Sequence, residues 1–231
     1  MYKKRPKKNY IETFNEYKSL LKILKKRKLK KIDFYKHNQS DVILTADLIA
    51  KKINAFIKIN NIKSKYKLID IGCGLGQITN EILKINGYKN TFACEPSKYA
   101  SKFVQEYYPK INFLMGGIED ISSKYNNFFD LIYLKEVSPF RSSDINLQRK
   151  LIKKLQVINT KNGIIILEQI KNKGKLDIYS NLKKLKIKYK IIPTLPNFIF
   201  KLKILQNILL NNYKLVNYIL IVLDKIYFNK L

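Results

Sequence analysis

The chain has 231 residues, and its hydrophobic share of 46% supports a buried core and argues against wholesale disorder. Its two cysteines argue against a disulfide framework or a zinc site, and no apolar run approaches the roughly 20 residues that cross a bilayer. The formal net charge is +29, of which residues 1–36 and residues 171–231 carry +11 each (14 basic against 3 acidic residues, and 13 against 2).

Two interpretations of the basic ends stay open. One is attraction to phosphates on nucleic acid, anionic lipid or a phosphorylated substrate. The other is codon bias, because the chain has 42 Lys against 4 Arg, although Arg is the better bidentate reader of phosphate. Nucleic acid is therefore a less favoured partner, and peripheral contact with an anionic membrane remains an option. The polar N-terminal sequence and unpaired cysteines predict a cytoplasmic location.

The first predicted elements are two helices. Residues 10–31 place apolar side chains at helical spacing between lysines, which is typical of a basic amphipathic helix. Residues 40–59 predict a second helix with Ile53 on its apolar face. We accordingly divide the chain into a basic helical extension, residues 1–36, and one domain, residues 37–231.

From residue 67, short apolar runs alternate with helical stretches. Strands are predicted at 67–71, 91–94, 111–114, 129–134 and 163–168, and helices at 77–85, 97–108 and 147–158. Continuously apolar strands at βα spacing predict an α/β fold, a largely parallel sheet with helices on both faces.

The last quarter of the chain, residues 171–231, is expected to form a substrate or lid region. A sixth strand is predicted at 186–192, followed by an apolar and basic insertion at 193–212 that is helical after Pro196. Residues 218–223 fit either a seventh strand or a helix.

The sequence Asp70-Ile71-Gly72-Cys73-Gly74-Leu75-Gly76 follows the first predicted strand. Its glycines let the backbone turn sharply and approach a ligand, at the place where open α/β sheets bind nucleotides. A dinucleotide site would prefer a further glycine where Gln77 stands, and the charge of Asp70 opposes a diphosphate. These residues favour S-adenosylmethionine, which carries an ammonium and a sulfonium, over NAD.

This stretch resembles motif I of the class I, S-adenosylmethionine-dependent methyltransferases, and Phe92-Ala93-Cys94-Glu95 is similar to the family's second-strand motif, whose acid accepts hydrogen bonds from the ribose hydroxyls. Residues 116–121 resemble the loop that reads adenine, and residues 128–137 resemble the fourth-strand motif. The resemblance implies a Rossmann-like fold, S-adenosylmethionine as cofactor, and a cofactor set of Asp70, Gly72, Gly74, Gly76, Glu95, Ile118, Glu119 and Lys135.

No general base is obvious, and methyl transfer relies mostly on positioning. The candidates for catalysis or acceptor contact are His37, before the core, and Glu136 and Glu168, near the ends of strands four and five. Asp130 and both cysteines are expected to be structural, and no metal site is predicted. Because the motifs of nucleic-acid methyltransferases are missing, the resemblance implies a small-molecule, glycan or lipid-linked acceptor. The alternative is an RNA-directed methyltransferase or a basic RNA-binding module. The oligomeric state stays open.

Overall fold

The computed structural model describes residues 66–135, 137, 140, 144–170, 178–187, 189–194 and 218–224, together with Ala46, Ala50 and Ile53. The chain divides into two compact units, residues 1–121 and 122–231. The predictions for the helix at 10–31, His37, Glu136 and residues 195–212 lie outside the described residues.

The first unit contains a βαβαβ arrangement. Strands β1 (Leu68–Ile71), β2 (Thr91–Glu95) and β3 (Asn112–Met115) are joined by helices α1 (Gln77–Asn86) and α2 (Lys98–Tyr107). Both strand pairs are parallel, with Leu68 opposite Thr91 and Phe92 opposite Asn112. Every residue of β1 and β2 is buried, as expected for strands that are covered on both faces.

Local chemistry explains where the helices of this unit begin. Gly76 stands before α1 in the left-handed conformation, with φ 77°. Ser97 is the N-cap of α2, and its hydroxyl accepts a hydrogen bond from the backbone N–H of Ala100 at 3.4 Å. Before β1, Ala46, Ala50 and Ile53 are helical and buried at i, i+4 and i+7, so they share one helix face. Ile53 was predicted on that face, whereas the two alanines were not.

The second unit contains β4 (Phe129–Lys135), α3 (Ile145–Ile158), β5 (Asn159–Ile170), α4 (Ile178–Lys184), β6 (Tyr189–Thr194) and β7 (Tyr218–Asp224). Strand β4 runs parallel to β5, with a register shift between Phe129 and Leu131. Strand β7 is antiparallel to both β5 and β6. The strand order is β3-β2-β1 in the first unit and β4-β5-β7-β6 in the second.

The structure confirms the predicted fold class and corrects the C-terminal part of the prediction. Of the two alternatives left open for residues 218–223, the structure has the strand, which spans Tyr218–Asp224. The sixth strand starts at Tyr189 because a turn with Lys186 at φ 55° precedes it, and it continues through Pro193 and Thr194, so an insertion beginning at residue 193 is wrong. Helix α4 was not predicted. Glu168 lies two residues inside the end of β5.

Candidate cofactor site

The glycine loop between β1 and α1 is tied to the end of β2. The backbone N–H groups of Gly72 and Cys73 both donate to the carbonyl oxygen of Cys94, at 2.7 and 3.2 Å. Gly76 has φ 77°, and a Cβ at this position would lie 3.1 Å from Cγ2 of Val104 in α2. A side chain at residue 76 would therefore strain the backbone and press on that helix.

Glu95 connects the glycine loop to the start of α2. The side chain is 2% exposed, and its Oε2 accepts a hydrogen bond from the backbone N–H of Gly74 at 3.1 Å. Its Oε1 accepts a hydrogen bond from the backbone N–H of Ser97 at 2.8 Å. The structure thus brings together two of the predicted cofactor residues, Gly74 and Glu95. Each carboxylate oxygen has a second lone pair that suits a hydroxyl donor.

Asp70 is held by a residue that the sequence analysis missed. Asp70 is 3% exposed, and its Oδ2 accepts a hydrogen bond from the hydroxyl of Thr79 at 2.6 Å. Thr79 lies on α1 and is itself buried. A polar residue among apolar ones on the inward face of the first helix was the only sequence signal for this contact.

The loop after β3 closes on Asp120, a second residue that was missed. The backbone N–H of Gly117 donates to Oδ2 of Asp120 at 3.0 Å, and the N–H of Gly116 donates to the carbonyl oxygen of Glu95 at 3.2 Å. Gly116 has φ 136°, and a Cβ there would lie 2.7 Å from Cβ of Asp120. This loop therefore packs against the end of β2 and accepts only glycine at residue 116.

The pKa values of the two thiols, Cys73 and Cys94, show that the surroundings of the glycine loop are negatively charged. Burial raises the pKa of Cys73 well above its ordinary value, and the negative charges of Asp70 and Glu95 raise it further. Burial likewise raises the pKa of Cys94, followed by the charges of Glu95 and Asp120. Both thiols are free.

These observations decide which ligand the first unit fits. The loop offers glycine backbone beside the carboxylates of Asp70, Glu95, Glu119 and Asp120, all of which disfavour a further negative charge. A diphosphate would be repelled by this set, whereas an ammonium, a sulfonium or a pair of hydroxyl donors suits it. Of the predicted adenine-loop residues, Ile118 is fully buried and Glu119 is partly exposed.

The second unit holds Lys135 and Glu168 at opposed positions on neighbouring strands. The Nζ of Lys135 lies 3.8 Å from Oε1 of Glu168, and the hydroxyl of Tyr133 donates a hydrogen bond to Oε2 of Glu168. Glu168 is 6% exposed and Tyr133 is fully buried. Tyr133 was not singled out in the sequence, because a tyrosine in an apolar strand is ordinary core.

Asp130 lies at the other end of β4. Its Oδ1 accepts a hydrogen bond from the hydroxyl of Thr160 at 3.2 Å, which fits the structural role expected for it at the entry of the strand. In the described part of the chain, no group of three or more His, Cys, Asp and Glu side chains is placed to hold a metal ion.

Comparison with known proteins identifies the family. The methyltransferase domain family matches residues 62–213, about two thirds of the chain. The chain belongs to the class I S-adenosylmethionine-dependent methyltransferases. The methyltransferase has the fold, cofactor and type of activity that its glycine motif and second-strand acid predicted. No curated protein matches it in sequence.

Solved structures with the same fold are distant in sequence from this methyltransferase. A TehB-like methyltransferase from Corynebacterium glutamicum is 12% identical with a TM-score of 0.55, over 83% of this chain and 96% of that one. The plantazolicin methyltransferase in complex with S-adenosylhomocysteine is 18% identical with a TM-score of 0.55, over 90% and 93%. A possible histamine N-methyltransferase from Thermotoga maritima is 13% identical with a TM-score of 0.53, over 84% and 94%. At these identities the likeness supports the fold.

Proposed function

We propose that the first unit binds S-adenosylmethionine through the glycine loop and Glu95, and that the methyltransferase acts on a small-molecule, glycan or lipid-linked acceptor. The observation that carries the cofactor assignment is the position of Glu95. Two backbone N–H groups, from Gly74 and Ser97, fix a buried carboxylate beside the glycine loop. Hydrogen bonds from backbone N–H groups fix the orientation of this carboxylate.

Each residue of the first unit receives a role from its contacts. Glu95 accepts hydrogen bonds from the ribose hydroxyls with the lone pairs that the backbone leaves unused. Asp70, oriented by Thr79, offsets the positive charge of the amino-acid part of the cofactor. The loop closed by Asp120 borders the adenine, where Ile118 offers its backbone because its side chain is buried, and Glu119 offers a polar group.

When bound, S-adenosylmethionine supplies a methyl group on a positively charged sulfur that leaves readily. The chain's own residues must hold that group in line with the acceptor and keep the surroundings negative. Asp70 and Glu95, the two carboxylates that raise the pKa of Cys73, keep the surroundings of the sulfur negative. Positioning of this kind supplies most of the acceleration in such a displacement.

The resemblance places Lys135 among the cofactor residues, but in our proposal we assign it to the binding of the acceptor because of its contact with Glu168. Its ammonium faces Glu168 at 3.8 Å, and both residues lie near the carboxyl ends of β4 and β5, the edge at which open α/β sheets bind ligands. Tyr133 holds Oε2 of Glu168, so Oε1 is the oxygen directed to Lys135. We assign to Glu168 the positioning of a hydroxyl or amine of the acceptor.

Calorimetry tests the cofactor assignment. Wild type is titrated with S-adenosylhomocysteine and with NAD, and the same titrations are run on Glu95→Ala and on Glu106→Ala, an exposed acid of α2 that serves as the matched control. We expect micromolar binding of S-adenosylhomocysteine and none of NAD. Glu95→Ala should bind roughly a hundredfold more weakly, since two charge-assisted hydrogen bonds are lost. Glu106→Ala should bind as wild type.

Equal affinity in Glu95→Ala and wild type would refute the role of Glu95, and binding of NAD at similar strength would refute the ligand assignment. Circular dichroism at the titration temperature shows whether each variant is folded. Glu95→Gln, which keeps the shape of the side chain but places an amide near the N–H groups of Gly74 and Ser97, provides a second measurement if the alanine variant does not fold.

A further inference from the structure

The helices of the two units differ in the signs of their surface charges. In the first unit, α1 and α2 carry both signs, including an ion pair between Lys84 and Glu81 with 2.6 Å between Nζ and Oε1. In the second unit, α3 and α4 contain no Asp or Glu. Their basic residues are Arg149, Lys150, Lys153, Lys154, Lys183 and Lys184. The charged side chains of α3 and α4 are therefore of one sign.

Most of these basic side chains face solvent. Helix α3 buries Leu151, Ile152 and Leu155, so Lys150 and Lys153 stand on its outer side. Five of the six basic residues are exposed, and we call them the basic face: Arg149, Lys150, Lys153, Lys183 and Lys184. Within the described residues, none of the five forms an ion pair.

Topology places the two helices on one side of the second unit. Strand β6 is parallel to β5, because both are antiparallel to β7. The connections β4–α3–β5 and β5–α4–β6 are therefore crossovers between parallel strands, and both advance in the same direction along the order β4-β5-β7-β6. Crossovers of this kind are right-handed, so α3 and α4 cover the same face of these strands. The basic face is thus a single layer.

We propose that the basic face docks the protein on an anionic lipid bilayer. A helix layer backed by a sheet presents a broad surface rather than a groove, which suits a planar array of headgroups. Lysines, as compact and strongly hydrated charges, suit diffuse attraction to lipid phosphates, whereas bidentate reading of nucleic acid favours arginine, of which the basic face has one. Val157, 47% exposed at the end of α3, adds an aliphatic contact to the same surface.

Docking of this kind is peripheral and electrostatic. No helix within the described residues is long and apolar enough to cross a bilayer. Exposed charges are screened by salt over a Debye length of about 8 Å at physiological ionic strength, so binding to vesicles should fall steeply as salt is added. The proposal is independent of the methyl acceptor, since the basic face locates the protein and does not enter the reaction.

Co-sedimentation with vesicles tests the proposal on the full chain. Vesicles of phosphatidylcholine with phosphatidylserine are compared with vesicles of phosphatidylcholine alone. The test variant is Lys150→Glu/Lys183→Glu, with one lysine from each helix. The control is Lys102→Glu/Lys110→Glu, two exposed lysines of the first unit whose reversal changes the net charge equally. We expect wild type and control to bind the anionic vesicles, and the test variant to bind roughly a hundredfold more weakly.

Three results would overturn the proposal. Equal losses in the two variants would show that net charge, rather than the basic face, drives binding. Equal binding of wild type to both vesicle types would remove the electrostatic basis. Retained vesicle binding by the test variant, together with lost binding of a 20-nucleotide poly(U) RNA, would assign the basic face to nucleic acid. Thermal melts by circular dichroism show whether each variant is folded. If the test variant is not folded, a second pair of substitutions, Lys153→Gln/Lys184→Gln, replaces it.

Discussion

Glu95 in the first unit and Glu168 in the second are both buried carboxylates near the end of a strand, but the two are held differently. Backbone N–H groups of Gly74 and Ser97 fix both oxygens of Glu95. Glu168 is held by two side chains, the hydroxyl of Tyr133 and the more distant ammonium of Lys135.

This difference separates two ways of building a site. A carboxylate held by backbone depends on the conformation of the loops around it, and hence on glycines. A carboxylate held by side chains depends on the identity of its partners. We therefore expect the first unit to be most sensitive to changes of backbone conformation and the second to changes of single polar groups.

The largest effect is expected from Gly116→Ala. Alanine at φ 136° is strained, and its Cβ would meet Cβ of Asp120 at 2.7 Å, so we expect a loss of about 3 kcal/mol in the free energy of unfolding. The matched control is Gly87→Ala, which has φ 82° and ψ 156° but no atom within 4 Å of the added Cβ, so that its expected loss of about 2 kcal/mol comes from backbone strain alone. Urea denaturation measures both. Equal losses would show that the loop around Asp120 yields to the methyl group.

Tyr133→Phe should have the next largest effect. The substitution removes the hydroxyl that donates to the buried Oε2 of Glu168, and an unsatisfied buried oxygen costs about 2 kcal/mol. Lys135→Met should cost less than about 1 kcal/mol, because that ammonium lies 3.8 Å away and its side chain is 21% exposed. Thermal or urea denaturation of the two variants gives the order. A larger loss for Lys135→Met would mean that the ion pair, rather than the phenol, holds Glu168.

The smallest effect concerns pH and the first unit. Burial raises the pKa of the Cys94 thiol above its ordinary value of 9.0. Above that pH the unfolded chain releases a proton that the folded protein keeps. The contribution of this thiol to stability is therefore fully present below pH 9 and is lost as the pH rises. Between pH 9 and 10 this thiol should lower the free energy of unfolding by about 1 kcal/mol. Cys94→Ala should therefore lose less stability than wild type over this interval in urea denaturation. Identical slopes would show that Cys94 titrates normally in the fold.

The features that could be predicted from the sequence are those that depend on neighbouring residues in the chain, as the site around Glu95 does. Contacts between distant side chains, like those of Glu168, could not be predicted. The strands β1 to β5 are continuous apolar runs, and the glycine loop and Glu95 belong to contiguous motifs, so their positions follow from local pattern. Tyr133 and Glu168 are 35 residues apart, and their contact depends on the register of β4 against β5, which no local pattern specifies.

Two misses have local causes instead. Asp120 accepts from a backbone N–H only three residues away, a turn contact that its sequence spacing allows. The start of β6 was placed three residues early because Lys186 and Ile187 continue an alternating pattern, although the chain turns there with Lys186 in a left-handed conformation. In both places the hydrophobic pattern was uninformative and the backbone conformation decided the structure.

The position of β7 has a consequence for synthesis of the chain. This strand separates β5 from β6, yet it follows both in the sequence. From the end of β5 to the start of β7 the ribosome must add 48 residues, the difference between Ile170 and Tyr218, which takes about 2 to 10 s at typical elongation rates. During that interval β5 cannot have its native antiparallel neighbour. The edge of β5 in the nascent protein is therefore open for several seconds, during which a chaperone or another nascent chain can bind to it.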